Sequence, residues 1–162
     1  SRSASMGEGI NVIVAAQMLA QNPSISLDEL ATATAKWCEK TKLYGALDTL
    51  ENLKKGGRVS GAKAFFASAL AIKPIVEIRE GKIVEGGKER TRSKALAFLV
   101  EKVKSAGPIT NLAVLHAQCS DLDAFVEQLK GVYSGEIIVG DVGSVIGSHT
   151  GIGTMGVTFH VK

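Results

Sequence analysis

Apolar residues recur at helical spacing along several stretches of the chain. Behind a capping box formed by Ser26 and Glu29, the apolar positions of the next stretch fall on one helical face. Asn22-Pro23 ends an earlier apolar stretch, because proline disfavours a continuing helix. The pattern predicts helices over 10–21, 27–38, 48–55, 62–71 and 91–104, and a further helix that Ser120 caps and that extends to Leu129.

Short apolar runs between these stretches are typical of strands. They predict strands over 43–47, 74–78, 82–84, 112–116, 136–139 and 154–161. Glu80-Gly81 joins two of them as a β-hairpin, and the strand, helix, strand order after residue 112 predicts a right-handed β-α-β crossover. The predicted fold is therefore α/β, with a mixed sheet and helices packed on it.

The composition is that of one globular domain. Of 162 residues, 45% are apolar and 22% are charged. A dispersed net charge of +3 and an aromatic content of 5% argue against nucleic-acid binding. Cys38 and Cys119 lack neighbouring ligands, so we expect buried thiols of a cytoplasmic protein, without a metal or cofactor. No run has the pattern of a signal peptide or a membrane span.

A glycine-rich run, GSVIGSHTGIGTMG at 143–156, places His149 and Thr150 between closely spaced glycines. Glycine lets backbone N–H groups approach a ligand, so the run suits a small anionic head group. A glycine-rich connection between the last two strands, with an exposed histidine, explains it equally well. The G-x-G-x-x-G match at its end is rejected as a dinucleotide fingerprint, because it opens no helix of a βαβ unit.

A second run, KKGGRVS at 54–60, ends one helix and begins another. Arg58 offers a planar fork of donors to a carboxylate or phosphate, and a solvated arginine after a helix cap is the plainer interpretation. The basic run at 88–92 is interpreted as a solvated strand end with a helix cap. His116 is expected in the core or at a sheet edge, while His160 carries no functional signal.

Three ordered blocks make the chain resemble the DegV family of bacterial fatty-acid-binding proteins. They read SRSASMGEG, LENLKKGGRVSGAKAFFASALAIKPIVEIREGKIVEGGKERTRSKAL and VIGSHTGIGTMGV. Together they cover nearly the whole chain. The departures from the family pattern are Ala71, where asparagine is preferred, and Ile152, where proline is usual.

The resemblance implies a binding protein without catalytic activity of its own. Such a protein holds a long-chain fatty acid and presents the carboxylate to a separate ATP-dependent kinase subunit. The implied head-group residues are Arg58, Ser148, His149, Thr150 and Gly151. A buried acyl chain needs an apolar cavity, and ordinary core packing is an equally good interpretation of the residues that could line it, Phe65, Phe66, Leu70, Ile72 and Ile75.

The resemblance also implies a fold of two α/β domains. The chain opens at Ser1-Arg2 and lacks the family's N-terminal carboxylate-binding motifs, so we expect it to be the C-terminal part of a protein that is monomeric at full length. Residues 1–40 are expected to link to, or pack on, an N-terminal domain, and residues 41–162 to form the lipid-binding domain. Two alternatives stay open: a phosphoryl-accepting carrier or transferase domain that uses His149, and a plain interaction domain.

Overall fold

A six-stranded mixed sheet organises the computed structural model, which describes residues 1–58 and 72–162. The strands are β1 (Thr41–Ala46), β2 (Lys73–Arg79), β3 (Lys82–Glu89), β4 (Ile109–His116), β5 (Ile138–Asp141) and β6 (Met155–Val161). They lie in the order β3-β2-β1-β6-β4-β5, and only the β4–β5 pair is parallel. The predicted hairpin and β-α-β crossover are therefore confirmed.

The helices occur between these strands and before the first of them. Ser26 forms the predicted capping box: its hydroxyl accepts from the Glu29 amide, and the Glu29 carboxylate accepts from the Ser26 amide at 3.0 Å. The helix predicted over 62–71 lies outside the described residues. The described helices are α1 (Met6–Gln21), α2 (Leu27–Lys40), α3 (Glu51–Lys55), α4 (Arg92–Ser105), α5 (Leu122–Lys130) and α6 (Ser144–Thr150).

One sequence prediction about local structure was wrong, and another was incomplete. Asp121, and not Ser120, precedes α5 as its N-cap residue, and the Asp121 side chain pairs with Arg92 in place of capping the helix. The glycine-rich run is more than a connection, since seven of its residues form α6. So short a helix is not stable by propensity alone, and its packing against α3 supplies the missing stabilisation.

Helices cover both faces of the sheet because side chains alternate along each strand. On β6, Val157 and Phe159 are buried against residues of α4 and α5. Together these strand and helix residues belong to the main apolar core. His160, the next residue along the strand, points to the other face and contacts Asn11 of α1 and Trp37 of α2. The result is a sheet between two helical layers.

A buried polar network joins the α1–α2 layer to the sheet. His160 is fully buried, with Nε2 3.1 Å from the Asn11 amide oxygen and Nδ1 3.1 Å from the Asn111 amide nitrogen. Asn11 also donates to the Thr41 hydroxyl at 3.0 Å, and Thr41 donates to the Trp37 carbonyl at 3.0 Å. Both ring nitrogens of His160 are thus hydrogen-bonded, which fits a neutral imidazole that carries its proton on Nε2.

The outer surface of α1 is partly apolar. Ile10 and Val14 are buried against the rest of the fold, whereas Val12 is 62% exposed and Leu19 is 46% exposed. This exposure is in line with the expectation for residues 1–40, and the division into 1–40 and 41–162 stays a prediction. None of the described helices has the length and apolar character needed to cross a membrane.

Both cysteines are only partly buried, which corrects the prediction of buried thiols. Cys119 lies in the loop after β4, where its sulfur donates to the Thr154 carbonyl and accepts from Arg92. Cys38 lies near the end of α2 and lines a surface cavity.

Candidate functional site

The candidate site forms where α3 packs against α6. The α3 helix ends at Lys55 and is followed by a turn of two glycines, in which Gly57 has a φ of 69°. The α6 helix ends at Thr150, and Gly151 then reverses the chain with a φ of 86°. Positive φ angles of this kind favour glycine, so the two glycine-rich runs supply the turns that bring these helix ends together.

Arg58 and His149 converge on a single residue, Gly56. The Arg58 guanidinium donates to the Gly56 carbonyl at 2.8 Å. The His149 Nδ1 atom occupies the space that a Cβ atom on residue 56 would need. A glycine is thus required here for close approach, although its φ of −79° would suit other residues. Two side chains that lie far apart in the sequence therefore belong to one local surface.

The imidazole of His149 has unused hydrogen-bonding capacity. Its Nδ1 atom is buried and has no hydrogen-bond partner within residues 1–58 and 72–162. A buried polar atom without a partner is unfavourable, and binding a donor or acceptor there removes that cost. Arg58 is exposed and keeps further N–H groups beyond the one that bonds Gly56. A cation and a histidine beside an open turn can therefore hold an anionic group.

The other predicted head-group residues are held by α6 itself. Ser148 donates its hydroxyl proton to the Val145 carbonyl at 2.8 Å, and Thr150 donates to the Ile146 carbonyl at 3.2 Å. Either hydroxyl would have to exchange this bond in order to donate to a ligand. Gly151 lies beside the Asn52 side-chain amide, at the junction with α3.

Two of the five predicted acyl-lining residues lie in the described part of the chain, and they pack in different apolar clusters. Ile75 is fully buried in the main core with residues of α4, whereas Ile72 packs at the edge of a smaller cluster that contains Leu50. Ile72 also lines a cavity of about 390 Å³ beside Asp48. The remaining three predicted residues lie outside the described part of the chain: Phe65, Phe66 and Leu70.

Arg92 was missed by the sequence analysis. The run at 88–92 was predicted to be solvated, yet the Arg92 side chain is 26% exposed and pairs with Asp121 at 2.9 Å. This residue opens α4, where the helix dipole disfavours a positive charge. An arginine at such a position gains from a carboxylate partner, and its place in the first turn was the available signal. The hydrogen bond from Arg92 lowers the pKa of Asp121.

His116 lies half-buried at the carboxyl end of β4. A histidine in the sheet was one of the two positions that the sequence predicted for it. Its Nε2 atom is 3.3 Å from the Asp141 carboxylate, which ends the neighbouring parallel strand β5. The part of the chain that the structure describes contains no cluster of three or more metal-binding side chains.

Comparison with known proteins identifies the family. The model of the DegV family matches residues 1–162. The chain belongs to the DegV family. A DegV domain-containing protein of Streptomyces coelicolor is 39% identical over 137 residues, which are 82% of this chain and 49% of the relative. This DegV chain spans about half the length of the curated relatives it matches.

Solved DegV structures share the fold. One that reports fatty acid binding of a DegV family protein from Thermus thermophilus superposes with a TM-score of 0.88 at 28% identity, over 99% of this chain and 59% of the other. A DegV family protein from Ruminococcus gnavus, refined with vaccenic acid, gives a TM-score of 0.83 at 27% identity, over 97% of this chain and 57% of the other. The six-stranded mixed sheet and its helices are those of DegV structures.

Proposed function

We propose that this DegV chain binds a long-chain fatty acid and presents its carboxylate to a separate ATP-dependent kinase, without being the catalyst. The observation that carries the proposal is the convergence of Arg58 and His149 on Gly56. A carboxylate that leaves water needs charge-assisted donors, and these two side chains are suited to supply them. The fatty-acid-binding relatives with the same fold favour this ligand class over other anions.

The acyl chain is proposed to lie along the apolar block that runs from Phe65 to Ile75. Burial of roughly a dozen methylenes, at about 0.8 kcal/mol each, would supply most of the affinity. The head-group residues then orient the carboxylate. The head group itself is proposed to meet Arg58, Ser148, His149, Thr150 and Gly151.

A further domain is proposed to pack on residues 1–40. The exposed apolar side chains of α1, Val12 and Leu19, support this assignment, because such side chains favour a covering surface. The complete protein is proposed to act as a cytoplasmic monomer, in the compartment that provides ATP to the kinase.

Lipid extraction from the intact protein, purified from cells, tests the ligand class. We expect a long-chain fatty acid at near-stoichiometric amounts. Absence of lipid, together with failure to bind added vaccenic acid, would contradict the proposal. Phosphohistidine at His149 after incubation with a phosphodonor would instead favour a phosphoryl carrier.

Arg58 separates binding from presentation. We expect Arg58→Ala to weaken binding of vaccenic acid by less than about tenfold, or 1.4 kcal/mol, because the acyl chain dominates the affinity. Phosphorylation by the kinase should fall much further, since a basic rim steers an anionic partner. Arg79→Ala is the matched control, because this arginine is exposed on β2 and pairs with Glu77. Equal losses in both assays would show that Arg58 acts on the fatty acid alone. No loss in either assay would show that Arg58 is a solvated arginine without a role in function.

His149 is expected to matter more for turnover than for binding. Donors at a reacting carboxylate act most strongly in the transition state, whereas the acyl chain contributes equally before and during the reaction. Kinase turnover with His149→Ala should therefore fall by a larger factor than affinity for vaccenic acid. A drop confined to affinity would contradict this division of roles.

A further inference from the structure

The Arg92 side chain makes several polar contacts beside the candidate site. Its Nε atom donates to Asp121 Oδ2 at 2.9 Å, and its second terminal nitrogen donates to Asp121 Oδ1 at 2.9 Å. This two-bond pairing fixes the plane of the guanidinium, which a lysine ammonium cannot reproduce. The guanidinium is therefore held in one orientation between the start of α4 and the start of α5.

The same guanidinium reaches the loop that follows α6. Its first terminal nitrogen donates to the carbonyl of Gly153 and lies 3.7 Å from Asp48 Oδ1. Gly153 has a φ of 82°, and the Asp48 carboxylate occupies the space that a Cβ atom there would need. Lys73 holds Asp48 from the strand side at 2.8 Å. Arg92 thus fixes both the loop backbone and the carboxylate packed on it.

This loop controls where α6 ends. Gly151 and Gly153 both adopt positive φ angles, and together they connect the helix that carries His149 to the buried strand β6. Two glycines so close together leave the backbone many alternative conformations unless other groups restrict it. The contacts of Arg92 and Asp48 provide that restriction on the strand side of the loop.

We propose that Arg92 is a positioning residue for the head-group site. It acts through Gly153 and Asp48 to hold the end of α6, and so sets where the His149 ring lies over Gly56. The inference rests on the proposed function, since it concerns recognition of a carboxylate at that site. It adds a residue that does not itself touch the ligand.

The test compares the affinities of the intact protein for vaccenic acid and for the alcohol of the same carbon chain. The two probes share the acyl chain and differ only in the head group, so their affinity ratio reports the head-group site. We expect Arg92→Lys to reduce the preference for the acid about tenfold and to leave affinity for the alcohol within about twofold. Arg79→Lys is the control, because Arg79 makes the same two-bond pairing with Glu77 on β2.

A second variant and a second readout cover the case in which Arg92→Lys does not fold. Asp121→Asn keeps Arg92 but weakens the two-bond pairing that orients its guanidinium. We expect this variant to lose about threefold of its preference for the acid. The amide NMR signals of Gly151 and Gly153 in the ligand-free protein should move in both folded variants and stay in place in Arg79→Lys. Unchanged acid preference and unchanged glycine signals would overturn the inference about Arg92 and leave the proposed function intact. A wild-type protein that binds neither probe would overturn the proposed function, and the inference with it.

Discussion

Two histidines of this chain occupy opposite situations. His160 is fully buried between the sheet and the α1–α2 layer, with a hydrogen-bond partner for each ring nitrogen. His149 lies at the end of α6 against Gly56, and its buried Nδ1 atom has no partner among the described residues. A histidine whose hydrogen bonds are complete contributes to the stability of the fold. One whose hydrogen bonds are incomplete can contribute to binding.

The contrast shows that burial by itself does not identify a functional histidine. His160 is the more buried of the two, and its ring also packs at a tilt against Trp37, with 4.9 Å between the ring centres. What distinguishes His149 is the surrounding backbone, because Gly56 and Gly151 allow the close approach of two helix ends. The three predictions below test whether the two histidines really divide stability and binding between them.

The largest expected effect is on stability. His160→Ala removes two hydrogen bonds and leaves a cavity beside Asn11, so we expect the free energy of unfolding to fall by about 3 kcal/mol. His149→Ala should change it by less than about 0.5 kcal/mol, because its buried nitrogen has no bond to lose among the described residues. Urea denaturation of both variants measures the difference. Equal losses would remove the distinction between the two histidines.

A smaller effect is expected on lowering the pH. Burial, with the nearby charge of Lys40, lowers the pKa of His160 to about 4. The unfolded chain takes up this proton near pH 6.5, whereas the folded chain does so only near pH 4, so stability is lost as the pH falls between them. We expect the wild type to lose about 2 kcal/mol between pH 7 and pH 5 relative to His160→Gln, which cannot titrate there. Denaturation curves that shift in parallel for both proteins would contradict the assignment.

The smallest expected effect is confined to binding. Gly56→Ala introduces a Cβ atom where the His149 ring now lies, so the ring must move while every donor remains present. We expect affinity for vaccenic acid to fall about tenfold, or 1.4 kcal/mol. Gly143→Ala is the control, because Gly143 has a φ of −62° and open space at its Cβ position. Comparable losses in both variants would show that the effect is not specific to His149.

Much of the fold followed from local patterns. The capping box at Ser26, the hairpin at Glu80-Gly81 and the parallel pair around α5 each have a signal contained within a few residues. The α6 helix had no such signal, since its stability depends on packing against α3 from elsewhere in the chain. Ser120 was predicted to cap α5, but Asp121 is the N-cap residue, and its carboxylate pairs with Arg92, 29 residues earlier in the chain.

The candidate site was predictable in part. Glycines beside Arg58 and His149 drew attention to residues that the fold does bring together. Arg92 and His160 could not be recognised in this way, because their partners Asp121 and Asn11 lie 29 and 149 residues away in sequence. Residues so far apart in the sequence are not linked by any helical or strand period. Ile72 and Ile75 belong to one apolar block of the sequence, yet they pack in different clusters of the fold.

The position of β6 in the sheet has a consequence for folding during synthesis. This strand is the last in chain order, yet it lies between β1 and β4 and joins the two halves of the sheet. The Thr158 hydroxyl bonds the Lys42 carbonyl across 116 residues of sequence. During translation, one edge of β1 therefore stays unpaired until β6 has left the ribosome. An unpaired strand edge of this kind can pair with other chains. Contacts of such long range slow folding, so the sheet is expected to close in a late step that a chaperone could assist.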